Sequence, residues 1–321
     1  MTVMSVSGPV KAEDLGLTLV HEHVVVRLDG GFMDPAAPAD RREILAMATD
    51  KLQELKAHGV STFVDPCPME LGRDPELYAE LSQRTGINII FATGFYYEGA
   101  GLPEDWRARG ASEIADLYRK EISDGVGSSG LRPGIIKAAT GPEVTVAERQ
   151  CLTAAAIVQK QTGVAIITHT EHSRHGEVQQ EIFAENGADL SRVLIGHQDE
   201  QTSVEPIQKL AQRTFVGIDR IGIESLAPDE RRADHVAALV KAGLGHRVCL
   251  SHDCVCGLIM GRWIMPGPKP DNPLRAWSEM QKPYTYILTD FAPMLRARGV
   301  SDTDIDVMLR DNPRRLLAGE A

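Results

Sequence analysis

From Leu17 onward, short apolar runs alternate with longer amphipathic stretches, and no long linker or low-complexity segment interrupts the rhythm. Leu17–His21, Val60–Asp65, Ile87–Thr93, Gly134–Lys137, Ala165–His169, Val193–His197, Phe215–Arg220 and Val248–Asp253 read as eight strands. Runs such as INIIFAT and GVAIITHT have largely continuous apolar cores rather than strict alternation, the pattern of parallel strands covered on both faces. Between them, Arg41–His58, Asp74–Thr85, Ser112–Ser123, Val146–Thr162 and Pro228–Ala242 read as helices. In the first of these, Ile44, Met47, Ala48, Leu52 and Leu55 recur at three- and four-residue steps and build one apolar face. Gly59, Gly86, Gly163, Gly187 and Gly243 stand where helices should close before the next strand. Eight β/α units predict an α/β protein, a single closed (β/α)8 TIM barrel; the alternative is a doubly wound open sheet. Closure rests on the count alone.

Length and composition narrow the picture. A chain of 321 residues would suggest about two domains, but α/β barrels commonly run to ~250 residues or more as one. One domain over residues 1–321 is expected, with its motifs between about 8 and 317. The net charge of −11 argues against a broad basic surface for nucleic acid and leaves a neutral small substrate open. The N-terminus lacks the charged start and apolar core of a secretory signal, and no apolar stretch reaches the roughly 18 residues of a membrane span. A cytoplasmic protein without membrane contact is expected. The five cysteines are odd in number and lack CxxC spacing, which makes a disulfide framework improbable.

The chemistry begins at His21-Glu22-His23. On an extended strand successive side chains face opposite ways, so His21 and His23 would project together while Glu22 points elsewhere. Such a pair can grip one metal ion, although a short motif carries little weight alone. The other strand ends add to it: Lys137 closes the fourth strand, His169 the fifth, His197 the sixth and Asp253 the eighth. This is the face on which barrel enzymes assemble their sites from several strands. A single strand-end histidine is usually a packed core residue, but six polar residues at matching ends are hard to explain by packing. Lys137 follows Gly134-Ile135-Ile136 in apolar surroundings that disfavour an ammonium. Its neutral amine could react with carbon dioxide to give a bridging carbamate. The structural alternative is a lysine paired with Asp253.

The motifs VHEHV at 20–24, GIIKAAT at 134–140, THT at 168–170, GHQDE at 196–200, GIDR at 217–220, SHD at 251–253 and DNPRRLL at 311–317 together resemble the phosphotriesterase family of the amidohydrolase superfamily, and its phosphotriesterase-like lactonase branch. The resemblance implies a (β/α)8 barrel with a binuclear centre of two divalent metal ions, zinc first and cobalt, manganese or iron as alternatives. It implies that His21, His23 and Asp253 hold the more buried metal, that His169 and His197 hold the more exposed one, and that carboxylated Lys137 bridges them. A hydroxide shared by the ions would be the nucleophile, with Asp253 moving its proton. Tyr96 and Arg220 match positions near the lactone ring and leaving alkoxide, and the stretch DCVC at 253–256 also looks like the lactonase branch. The expected activity is hydrolysis of an acyl homoserine lactone or another γ- or δ-lactone, with a side activity on phosphotriesters. A homodimer is expected from similar proteins. The segment FYYEGAGLPEDW lacks the rich aromatic content of acyl homoserine lactonases, which implies an acyl-chain channel of different size or polarity.

Alternative readings of the sequence are a carboxylesterase or phosphoester hydrolase, with Arg220 reading an acidic group, and a metal-binding barrel without turnover. No GxSxG stretch supports a serine hydrolase. His252 should pack behind the barrel wall; His172, His175, His235 and His246 should be solvated. Asp199 and Glu200 could orient His197 or serve a helix N-terminus. Asp65 and Glu98, also at the mouth, have no assigned role. Cys254 to about Arg275 reads as a long loop whose Leu258, Ile259, Met260, Trp263 and Met265 could form a lid or a dimer contact.

Overall fold

A computed structural model describes residues 1–28, 40–259, 268 and 270–319. The strands are β1 Thr2–Ser5, β2 Gly8–Lys11, β3 Leu17–Leu19, β4 His23–Arg27, β5 Val60–Asp65, β6 Asn88–Gly94, β7 Ile135–Thr140, β8 Ala165–Thr170, β9 Val193–Ile195, β10 Phe215–Ile218, β11 Val248–Leu250 and β12 Val255–Ile259. Eight of them form one sheet in the order β11-β10-β9-β8-β7-β6-β5-β3, parallel at each pairing. The barrel is nearly closed, and its two end strands meet through the turns that follow them. His21 N–H donates to Ser251 Oγ at 2.9 Å, and Asp253 N–H donates to the His21 carbonyl at 3.0 Å.

Strand alternation explains what fills the barrel. Ile135, Ala165, Ile167, Leu194, Phe215 and Cys249 pack together inside it, with Val3 and Leu15 from the N-terminal segment and Leu316 and Leu317 from the C-terminal helix Asn312–Ala318. Ile136, Ile166, Val193, Val216 and Leu250 face the surrounding helices. Period two therefore puts Lys137 on the face of Ile135, and His169 on that of Ala165 and Ile167.

The intervening helices start and stop on local signals. They include α1 Arg41–Ala57, α2 Pro75–Thr85, α3 Glu104–Arg107, α4 Ala111–Asp124, α5 Val146–Thr162, α6 Gly176–Glu185, α7 Glu205–Ala211, α8 Asp229–Lys241 and α9 Pro273–Met280. Asp74 accepts the Leu77 N–H ahead of α2, and Thr145 and Glu148 form a reciprocal capping box on α5. The five predicted closing glycines all have positive φ. Among the described residues no helix is long and apolar enough to cross a membrane.

Some expectations need correction. The first strand does not run through the histidines: β3 stops at Leu19, and β4 starts afresh at His23. The chain breaks there because Glu22 N–H still bonds the Val64 carbonyl of the barrel, whereas His23 N–H turns to the Cys254 carbonyl. The presumed loop after Cys254 contains β12, which runs parallel to β4 from Val255↔His23 to Ile259↔Arg27, followed by α9. Leu258 and Ile259 are buried in that pairing, while Met260, Trp263 and Met265 lie outside the described residues. His235 is buried on the inner face of α8 rather than solvated.

Candidate metal centre

All six proposed ligands converge. His21, His23, Lys137, His169, His197 and Asp253 line one cavity of 270 Å³ at the C-terminal end of the barrel, together with Tyr96 and Arg220. The rest of its wall is largely apolar, with Val26, Leu28, Leu71, Ile223, Leu226 and Trp277 among the lining residues. Asp253 is central: Oδ1 lies 3.2 Å from His23 Nε2 and 3.7 Å from His21 Nε2, and Oδ2 lies 3.7 Å from His197 Nε2. Lys137 Nζ sits 3.2 Å from His21 Nε2. The paired-lysine alternative is not what is found, since Asp253 takes Arg220 Nε at 3.0 Å. Tyr96 OH is 3.2 Å from His169 Nδ1.

Backbone conformation aims two of these groups. His197 (φ 56°) and Asp253 (φ 52°) both adopt the left-handed region just past β9 and β11. This conformation is uncommon for residues with a Cβ, and it clusters at functional sites.

Carboxylates behind the histidines fix the rings. Asp219 Oδ2 accepts from His21 Nδ1 at 2.8 Å and its Oδ1 from His197 Nδ1 at 2.9 Å. Asp65, left unassigned above, accepts from His23 Nδ1 at 3.0 Å and from Val24 N–H at 2.9 Å. Each of these three rings is thus held by Nδ1, with Nε2 turned inward, the arrangement found where a carboxylate orients a metal-binding histidine. Asp199 is buried and accepts the N–H groups of Asp219 and Arg220, while Glu200 accepts Arg220 Nη1 at 3.0 Å. Glu171 bonds His169 Nε2 at 2.8 Å. Glu98 stays out of the cavity, 3.9 Å from Arg107.

His252 is buried behind the wall as expected. His172 is exposed but lies 3.0 Å from Glu200; His175 bonds the Pro142 carbonyl, and His246 the Gly243 carbonyl.

Electrostatics suit cation binding at three of the four histidines; at His23, although burial opposes the charge, hydrogen bonds to Asp253 and Asp65 raise the pKa. Burial lowers the pKa of His169 to about 4 and also depresses His21 and His197, which keeps nitrogen lone pairs free. Burial likewise lowers Lys137 to about 8. Although burial opposes its charge, Asp253 is held well below the usual carboxylate range by His197, His23, His21 and Arg220. Ligand atoms of His21, His197 and Asp253 lie within 4.8 Å of one another, close enough to share one ion. His23, Asp65 and Cys67 form another such group, but there Asp65 already orients His23 and accepts the Val24 and Cys67 N–H groups. The donors present therefore fit a metal centre.

Fold and site together define a hydrolase barrel of the kind that gathers its metal donors at the strand C-termini. The chain belongs to the phosphotriesterase family, whose model matches residues 1–317. A phosphotriesterase homology protein of Mycobacterium tuberculosis is 36% identical over 324 residues, covering 96% of this chain and 95% of its own. An aryldialkylphosphatase of Saccharolobus solfataricus is 32% identical, covering 96% and 97%. A mutant of a phosphotriesterase-like lactonase from Deinococcus radiodurans superposes with a TM-score of 0.90 at 35% identity, covering 98% of this chain and all of that one. The family is binuclear and metal-dependent, and the chain is a hydrolase acting on ester bonds.

Proposed function

We propose that the chain is a two-metal lactonase. His21, His23 and Asp253 would hold the inner ion, His169 and His197 the outer one, and carboxylated Lys137 both; zinc suits this imidazole and carboxylate set best, with cobalt, manganese or iron as alternatives. Carboxylation joins the neutral Nζ of Lys137 to the carbon of carbon dioxide and releases one proton. When bound, the ions lower the pKa of a water and polarise the oxygen of the scissile group.

The protein residues supply the rest. Tyr96 OH, beside His169, orients the ring ester. Asp253 Oδ2 accepts the proton of the attacking water and delivers it to the departing alkoxide oxygen, while Arg220 Nε steadies that carboxylate at 3.0 Å. The apolar wall from Val26, Leu71, Leu226 and Trp277 excludes bulk water and receives the carbon skeleton. One observation favours a neutral substrate over an acidic ester: Arg220 is already paired with Asp253 and Glu200, each at 3.0 Å. The lactonase and aryldialkylphosphatase among its relatives support the same reading, with phosphotriesters as a secondary substrate class.

The test is a panel of γ- and δ-lactones of varied acyl length, acyl homoserine lactones included, run beside aryl esters and a phosphotriester. Lactones should give the highest kcat/KM. Aryl esters ahead by orders of magnitude would overturn the assignment.

A further inference from the structure

Glu22 lies between two histidines of the site, is 0% exposed, and turns away from the cavity. Its Oε1 accepts from Ser251 Oγ at 2.9 Å, from His252 N–H at 2.8 Å and from His252 Nδ1 at 2.6 Å; Oε2 accepts from Cys254 N–H at 3.1 Å. The two backbone donors belong to the residues on either side of Asp253. Ser251 Oγ, which donates to Glu22, accepts the His21 N–H at 2.9 Å. One carboxylate therefore ties the His21–His23 turn to the whole Ser251–Cys254 turn. His252 Nε2 accepts the Ile287 N–H at 3.1 Å, so its proton resides on Nδ1 and is given to Glu22.

We propose that Glu22 is a positioning residue for the metal centre. By gripping the backbone before and after Asp253, it maintains that residue's left-handed φ of 52° and so aims the carboxylate at His21, His23 and His197. The inference rests on the two-metal reading above. The chemistry calls for a carboxylate in particular. Four donors converge on its two oxygens, and an amide of the same size would set its own NH2 against one of them. The cost would fall on the aim of Asp253 rather than on packing, because the side chain keeps its shape.

The experiment compares the unmodified protein, Glu22→Gln and His252→Gln, each stripped and then titrated with zinc against a chromophoric chelator, with far-ultraviolet circular dichroism to confirm folding. His252→Gln removes one donor to Glu22 but leaves both backbone donors. Glu22→Gln should fold and bind zinc about 10- to 100-fold more weakly, the range found when the groups supporting metal ligands are lost. His252→Gln should melt earlier and bind zinc as the unmodified protein does. If Glu22→Gln is insoluble, Glu22→Asp replaces it with the same expected loss, since its oxygens are retracted by one methylene. Unchanged zinc affinity in the Glu22 variant overturns the proposal, as does an equal loss in His252→Gln. An unmodified protein that takes up no metal removes the two-metal reading and this inference with it.

Discussion

At the scale of single residues, the groups that line the cavity were legible and the carboxylates behind the histidines were not. His21, His23, Lys137, His169, His197 and Asp253 announced themselves because each stands at the end of an apolar run. Asp219 did not, although it was in view in the GIDR motif, because its role depends on His21 and His197 converging across the barrel, and no local spacing encodes that. Asp219→Asn should keep the fold and weaken metal binding by about 10- to 100-fold, measured by chelator competition; an unchanged affinity would mean the histidines orient themselves. Glu70 gives a prediction in pH. Its Oε1 accepts the Tyr96 N–H at 2.6 Å, its Oε2 is buried without a partner, and burial raises its pKa to about 7. The unfolded value is about 4.3, so the folded state binds the extra proton between the two, and stability falls as pH rises through that window. Glu70→Gln removes the titration and retains an acceptor. Its melting temperature relative to the parent should climb between about pH 5 and pH 8, and a constant difference would contradict the assignment.

Among the elements, helices and barrel strands followed from periodicity and from closing glycines, both local properties. The β4–β12 pairing did not, because it joins Val255 to His23 across most of the chain and a five-residue run after a site motif, interrupted by Gly257, read equally well as a loop. The strand ends were also overextended. Val193–His197 looked continuous, but the ladder stops at Ile195 and His197 turns left-handed, a change made for the site and invisible to hydrophobic pattern. One contact between neighbouring strands is tight enough to test. Gly94 ends β6 at φ 114°, and a Cβ there would lie 2.0 Å from the Lys137 carbonyl oxygen. Gly94→Ala must move the strand that carries Lys137. Destabilisation of about 3 kcal/mol or more is expected from strain and overpacking combined, read from the urea midpoint. A loss below about 1 kcal/mol would show that β7 yields easily.

For the whole molecule, the count of eight β/α units was enough to indicate a barrel, but not how it closes. The ends of the ladder, β3 and β11, are joined by the turns that carry His21 and Asp253. Closure of the fold and assembly of the site are therefore one event. A ligand that binds only the folded state stabilises it in proportion to RT ln(1 + [L]/Kd), about 4 kcal/mol at a thousandfold excess over Kd. Chelation should lower the melting temperature, and hydrogen exchange should accelerate first at residues 20–23 and 251–254, ahead of the β7–β8 ladder. Uniform acceleration across the barrel would separate closure from the site.

The β4–β12 ribbon has a different consequence. Val26, Leu28 and Val255 line the cavity from these strands and the residue that follows β4, and their ladder is a sheet of its own, outside the eight-stranded one. The wall of the cavity is thus partly modular. Transplanting residues 24–28 and 255–259 from a relative, with His23 kept, should carry that relative's preference with it and leave the proposed metal ligands of the recipient in place.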